Sequence, residues 1–152
     1  MAYVVGIVIA LLVSVMARLV GFDRDRAFYP TVLMVIASYY VLFAVMGGSV
    51  HAIVVESLIM MVFLCVAVLG FKVNLWLVVA ALAAHGVLDF FHGHIVTNPG
   101  VPAWWPAFCL AYDISAAGCL AWLSTRSRRV LRETAGILEQ PVRPGRVEDA
   151  GT

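Results

Sequence analysis

The sequence predicts an all-α membrane protein, a bundle of five transmembrane helices. Of its 152 residues, 63% are hydrophobic and 12% are charged, whereas an ordinary soluble domain is roughly 45 to 50% apolar and 25% charged. Its mean hydropathy is +0.99, and the apolar residues fall into five runs close to the roughly 20 residues that a helix needs to cross a bilayer. We therefore expect one helical bundle without a soluble catalytic domain.

Glycine, proline and charged residues mark the ends of the five apolar runs. The first run is followed by GFDRDR, the second by GGS and the third by FKVN. The fourth stops before TNPGVPAWWP, because proline cannot continue a helix and Asn-Pro-Gly favours a turn. The first run is not a cleaved signal peptide, because its positive charges follow it instead of preceding it. The predicted spans are 2–20, 27–46, 51–70, 74–95 and 107–124.

The domain organisation follows from these spans. Residues 1–125 form the predicted transmembrane domain, and residues 126–152 form a basic cytoplasmic tail. This tail is polar and contains proline and glycine, so we expect it to be largely disordered, with one short amphipathic turn around 128–138.

The basic residues predict the orientation. Arg18 lies at the end of the first run, and the other nine follow the first, third or fifth run. Five crossings therefore bring all ten to one side of the membrane, which the positive-inside rule identifies as the cytoplasm. The N-terminus then lies outside, and we expect a multi-pass protein of the bacterial inner membrane. A net charge of +1 gives no indication of a nucleic-acid partner. The ten residues are Arg18, Arg24, Arg26, Lys72, Arg126, Arg128, Arg129, Arg132, Arg143 and Arg146.

Three carboxylates lie inside predicted spans, namely Glu56, Asp89 and Asp113. Each costs about 2.5 to 3.5 kcal/mol at the centre of a transmembrane helix. No Lys or Arg is available at that depth, so protonation, pairing with histidine or binding of a cation must compensate. With a rise of about 1.5 Å per residue, all three lie roughly 8 to 10 Å below the outer surface.

The fourth run adds histidines to this layer. At 100° per residue, His85, Asp89 and His92 project within a sector of about 60°, which lets them converge on one point inside a bundle. Histidines one turn apart are how a helix presents two ligands to one metal ion, as in the HExxH motif. His94 points away if the helix stays regular, and His51 does not closely share a face with Glu56.

The stretch from His85 to Trp122 resembles a family of small, uncharacterised bacterial integral-membrane proteins. That family has a His-x3-Asp-x2-His helix, an Asn-Pro loop, and a last helix with a Cys and an Asp. The resemblance implies that these positions act as a set, and it implies no particular activity. The matching residues are His85, Asp89, His92, Asn98, Pro99, Cys109 and Asp113.

Our leading hypothesis from the sequence is a membrane metalloenzyme whose site opens toward the outer leaflet. We predict His85, Asp89, His92 and Asp113 as metal ligands, with Glu56 and Asp113 as the catalytic acid or base. Mixed histidine and carboxylate ligands favour a transition metal, Zn or Fe. The expected substrate is a lipophilic small molecule in the bilayer, with hydrolysis favoured over oxygenation.

Three alternatives remain open at this stage. Protonated carboxylates could catalyse cyclisation or isomerisation of an isoprenoid without a metal. The same residues could bind and transport protons or metal ions, although the cytoplasmic halves of the helices contain few polar residues. An accessory subunit is the third alternative. Small residues in the fourth and fifth runs permit close helix packing, which is compatible with a homo-oligomer.

Overall fold

The computed structural model describes residues 1–24 and 26–138, and its regular structure there is entirely helical. All five α-helices are long and apolar enough to cross a membrane. This confirms the prediction of an all-helical chain with five helices of membrane-spanning length, and it fits a multi-pass membrane protein. The helices are α1 (Ala2–Val20), α2 (Phe28–Met46), α3 (Val50–Lys72), α4 (Leu75–Ile95) and α5 (Trp105–Leu138), with a 3₁₀ turn at Phe22–Arg24.

Local chemistry explains where several helices begin and end. Ser49 caps α3 by accepting a hydrogen bond from the backbone N–H of Ala52 at 3.2 Å. Asn74 caps α4 by accepting from the N–H of Trp76 at 3.1 Å. Gly21 ends α1 in the left-handed region, with φ of 88°, where glycine has no Cβ penalty. All three residues lie in the GFDRDR, GGS and FKVN segments that follow the apolar runs.

The fifth helix differs from the prediction. We expected it to span 107–124, but it begins at Trp105 and continues to Leu138. Residues 126–138, which we assigned to the tail with one short amphipathic turn, therefore lie within α5. This stretch is rich in good helix formers such as Arg, Leu and Glu, so loss of hydrophobicity ends the apolar segment without ending the helix. The remaining tail residues, 139–152, lie outside the described part of the chain.

The helices pack in a defined order. The α5 helix packs against α4 and α1, α4 packs against α3, and α3 packs against α2. The backbones of α1 and α2 do not approach closely within 1–24 and 26–138, although the Tyr29 hydroxyl donates to Ser14 Oγ at 3.4 Å near the C-terminal end. A cleft therefore opens between them, with α5 as its floor.

Short turns make neighbouring helices antiparallel and give the bundle two chemically different ends. We call the end with Met1, the α2–α3 turn and the α4–α5 loop the N-terminal end, and the opposite end the C-terminal end. A buried apolar cluster fills the bundle toward the C-terminal end. It consists of Tyr29, Leu33, Ala67, Val78, Ala81, Leu82, Ala116, Ala117 and Leu120.

Candidate metal centre

Five ionisable side chains lie buried above this apolar cluster, toward the N-terminal end of the bundle. Their exposed fractions are between 0 and 3%. They come from three helices, so the structure gathers residues that are far apart in sequence. They are Glu56 on α3, His85, Asp89 and His92 on α4, and Asp113 on α5.

The closest grouping contains His85, Asp89 and Asp113. The Oδ2 atom of Asp113 accepts a hydrogen bond from His85 Nδ1 at 2.7 Å. Asp89 Oδ2 lies 3.4 Å from the same nitrogen. One ligand-type atom from each residue lies within 4.8 Å of the other two. These three residues offer one nitrogen and two carboxylate oxygens, a donor set suited to a transition-metal ion.

Asp89 is the least satisfied of the three residues. Although Asp89 Oδ2 is near His85, neither Asp89 oxygen has a hydrogen-bond partner among the described residues, and Asp113 Oδ1 also lacks one. A buried polar atom without a partner costs about 1 to 3 kcal/mol, and a charged one costs more. A bound cation would satisfy these oxygens.

Gly86 permits the close approach of α4 and α5 at this point. A Cβ atom on Gly86 would lie 3.2 Å from Asp113 Cβ and 3.3 Å from the Leu110 carbonyl oxygen. These distances are tighter than ordinary carbon contacts, so a larger residue would press the two helices apart. The glycine immediately after His85 therefore lets Asp113 reach the imidazole ring.

His92 and Glu56 form a second, separate pair. The Oε1 atom of Glu56 accepts a hydrogen bond from His92 Nε2 at 2.8 Å and another from Asn98 Nδ2 at 3.0 Å. Asn98 Nδ2 also donates to the carbonyl oxygen of Tyr40 at 3.1 Å. The α4–α5 loop is thereby attached to both α2 and α3. In contrast to Asp89, Glu56 has two hydrogen bonds to its Oε1 atom.

Tyr40 lies between the two groups. Its ring stacks on the His92 ring, with centroids 4.2 Å apart and an interplanar angle of 29°, and its centroid is 6.1 Å from that of His85. The Tyr40 hydroxyl is buried and has no hydrogen-bond partner within the described part of the chain. Its sequence neighbour Tyr39 is 36% exposed, so Tyr40 is the buried member of the pair.

The predicted site residues are therefore divided between two clusters. His85, Asp89 and Asp113 come together, whereas His92 pairs with Glu56. His51 and His94 are both exposed and stand apart from the two clusters. Asn98, which the sequence suggested only through the family resemblance, proves to bond directly to Glu56.

An apolar cleft between α1, α2 and α5 lies on another side of the site. Its volume is about 720 Å³, and its lining includes Val5, Val32, Tyr39 and Phe108. Cys109 also lines it, and this residue is 2% exposed and lies one helical turn before Asp113. The cleft therefore reaches the helical turn before Asp113, and none of the five buried ionisable residues is among its lining residues.

Comparison with known protein families, with curated proteins and with solved structures finds no match to this chain. Its class is therefore defined by its own features. It is an all-helical protein with five membrane-length helices and a buried His/Asp/Asp group that could hold a metal ion.

Proposed function

We propose that this protein is a multi-pass membrane metalloenzyme that hydrolyses a lipophilic substrate at a site formed by His85, Asp89 and Asp113. The observation that carries the proposal is the buried Asp89 carboxylate. Both of its oxygens lack a hydrogen-bond partner while a nitrogen and an oxygen ligand lie beside it. An apolar membrane helix would be more stable without this charge, so a bound cation is a direct reason for its presence.

The dimensions of the group are compatible with Zn²⁺. Nitrogen and oxygen ligands bind Zn²⁺ at about 2.0 to 2.2 Å, which places two ligand atoms of a tetrahedral site about 3.3 to 3.5 Å apart. Asp89 Oδ2 already lies 3.4 Å from His85 Nδ1, whereas Asp113 Oδ2 lies at 2.7 Å. Metal binding would therefore open the His85–Asp113 contact by about 0.6 to 0.8 Å, and the shared proton would leave.

The donor set supports hydrolysis more than oxygenation. A non-haem iron oxygenase uses two histidines and one carboxylate. Here the second histidine of α4, His92, is hydrogen-bonded to Glu56, which leaves one histidine and two carboxylates in the closest group. Zinc held by three protein ligands supplies an activated water as nucleophile.

Proton transfer would fall to the second pair. Glu56 and His92 share a hydrogen bond of 2.8 Å in a buried setting, an arrangement that can take up and return a proton. Asn98 fixes the carboxylate of Glu56 by donating to the same oxygen. We therefore assign Glu56 as general acid or base and His92 as the residue that orients it.

The surroundings favour an enzyme over a transporter. The apolar cleft between α1 and α2 has space for a bilayer molecule and reaches Cys109, one helical turn before Asp113. We therefore infer a lipid-phase substrate such as a lipid ester, amide or phosphoester. Toward the C-terminal end, the apolar cluster around Leu33, Leu82 and Leu120 closes the bundle interior. Among the described residues, the polar groups of that half are few, such as the hydrogen-bonded Tyr29 and Ser14, and they do not include a buried carboxylate or histidine that could carry an ion.

Metal content tests the proposal directly. Protein purified in detergent without chelators should contain about one equivalent of zinc, or of iron, by elemental mass spectrometry, with one ion bound by three protein ligands. Asp89→Asn and His85→Ala should lose this metal and lose hydrolysis of a panel of lipid esters, amides and phosphoesters. The control is Glu56→Gln, which should retain the metal and lose hydrolysis. A metal-free preparation with full activity would contradict the metalloenzyme proposal.

One observation favours a second candidate. His85 and Asp113 already form a direct hydrogen bond of 2.7 Å, which is the arrangement expected of a proton donor pair that works without metal. Acid catalysis on an isoprenoid alkene or epoxide would use this pair in the apolar interior. In that case, activity should survive exhaustive chelation and disappear in Asp113→Asn.

A further inference from the structure

The C-terminal end of the bundle carries an arginine-tryptophan cluster remote from the buried carboxylates. The guanidinium carbon of Arg18 lies 4.9 Å from the centroid of the Trp122 ring, and that of Arg126 lies 5.5 Å from the same ring. Arg18 ends α1 and Trp122 and Arg126 lie on α5, so the cluster joins two helices. Trp122 is 53% exposed, as expected of a residue at a membrane interface.

Within the described part of the chain, these two arginines have no acidic partner. Among residues 1–24 and 26–138, neither guanidinium has a carboxylate within salt-bridge distance, since the ion pairs found there all involve histidine. Asp23 lines the cleft beside Arg18 without pairing with it. Taken together, Arg18, Arg126 and Asp23 carry a net charge of +1, which is complementary to a single phosphodiester anion.

A second cleft of about 340 Å³ adjoins the cluster. Arg18, Asp23 and Trp122 line it, and most of its remaining wall is apolar, including Leu11, Val15 and Leu123. The cleft therefore combines cationic groups at the end of the helices with a hydrocarbon-lined space that extends along α1 toward the middle of the bundle.

We propose that this cluster binds an anionic phospholipid, with its phosphate held by Arg18 and Arg126 and one acyl chain in the adjoining cleft. Guanidinium groups bind phosphate through paired N–H donors, and basic pockets between transmembrane helices recognise anionic headgroups. A tryptophan at this level packs against the glycerol region. The positive-inside rule predicts that this end faces the cytoplasm, where anionic lipids attract basic residues.

The experiment measures which lipids remain bound to the purified full-length protein. The protein is reconstituted in vesicles containing equal parts of phosphatidylglycerol and phosphatidylcholine, extracted in mild detergent, and its bound lipids are identified by native mass spectrometry. We expect phosphatidylglycerol to be retained about tenfold over phosphatidylcholine, and Arg18→Gln or Arg126→Gln to lower this ratio about fivefold. Unfolding temperatures of the variants confirm that they are folded.

Matched controls separate this site from general attraction to basic residues. Arg128→Gln and Arg129→Gln remove the same charge from the same helix, at positions without a contact to Trp122, and should leave the ratio unchanged. An equal loss in these controls, or equal retention of the two lipids by the wild type, would overturn the proposal. Displacement of the lipid by soluble glycerol phosphate would also overturn it, because the acyl chain would then contribute nothing. Neither result bears on the metal centre, which lies toward the opposite end.

Discussion

Replacing Asp89 with asparagine should stabilise the metal-free protein while abolishing its response to zinc. The substitution keeps the size of the side chain and removes its charge. Asp89 is 1% exposed and neither of its oxygens is hydrogen-bonded within the described structure. The new amide can donate to the Asp113 carboxylate, an oxygen of which lies within 4.8 Å of an Asp89 oxygen. Relief of a buried, unsatisfied carboxylate should raise the free energy of unfolding by about 1 to 2 kcal/mol.

Although Asp89→Asn should stabilise the metal-free protein, it should reduce the stabilisation that zinc provides. A ligand present at 100 times its dissociation constant stabilises the protein that binds it by about 2.7 kcal/mol. The free energy of unfolding of the wild type should therefore rise by about this amount when zinc is added. Asp89→Asn has lost one of the three proposed ligands, so zinc should hardly change its free energy of unfolding. A stabilising substitution that removes function is what a strained functional site predicts.

Unfolding in detergent micelles, with chelator and with zinc, measures both quantities. The matched control is Glu56→Gln, which also removes a buried negative charge but retains an oxygen that can accept from His92 and Asn98. Its metal-free stability should not rise, and its zinc response should persist. The reasoning is refuted if Asp89→Asn destabilises the metal-free protein by 1 kcal/mol or more, or if zinc stabilises it as much as the wild type.

Further predictions concern the close contacts around the site. Gly86→Ala should separate α4 from α5 by a few tenths of an ångström and lower the affinity for zinc about tenfold. Competition with a chelating dye measures this affinity. The control is Gly118→Ala, which has no atom within 4 Å of its new Cβ and should leave the affinity unchanged. Asn98→Ala removes hydrogen bonds to two helices and should lower the free energy of unfolding by about 1 to 3 kcal/mol. Hydrogen exchange in the α4–α5 loop should become faster, and an unchanged exchange rate would contradict the anchoring role of Asn98. Gly100→Ala would drive a Cβ into the carbonyl of Phe43 and should destabilise this loop more than Asn98→Ala does, as limited proteolysis would reveal.

The fold was largely predictable because membrane helices follow simple rules. Apolar length and turn residues identified all five helices, and Gly21, Ser49 and Asn74 lie in the segments that the sequence marked as ends of the apolar runs. The extension of α5 to Leu138 was missed because hydropathy indicates where the apolar segment ends, and this need not be where the helix ends. Backbone hydrogen bonds continue beyond that point wherever the residues favour a helix.

The clustering of site residues was only partly predictable, and His92 shows why. Helical periodicity correctly places His85, Asp89 and His92 on one buried face of α4. Periodicity indicates the direction of each side chain, but it does not identify the residues on other helices that the side chain contacts. Over the seven residues from His85 to His92 the helix rises about 10 Å, so the two histidines meet different helices. His85 meets Asp113 on α5, and His92 meets Glu56 on α3.

This separation gives the two pairs different chemistry. The lower group, His85, Asp89 and Asp113, has oxygens without hydrogen-bond partners and can accept a cation. The upper pair, His92 and Glu56, is already hydrogen-bonded and is held by the loop through Asn98, so a metal there would have to break existing bonds. Since unsatisfied buried oxygens gain most from a bound cation, the metal should occupy the lower group and leave the upper pair to handle protons.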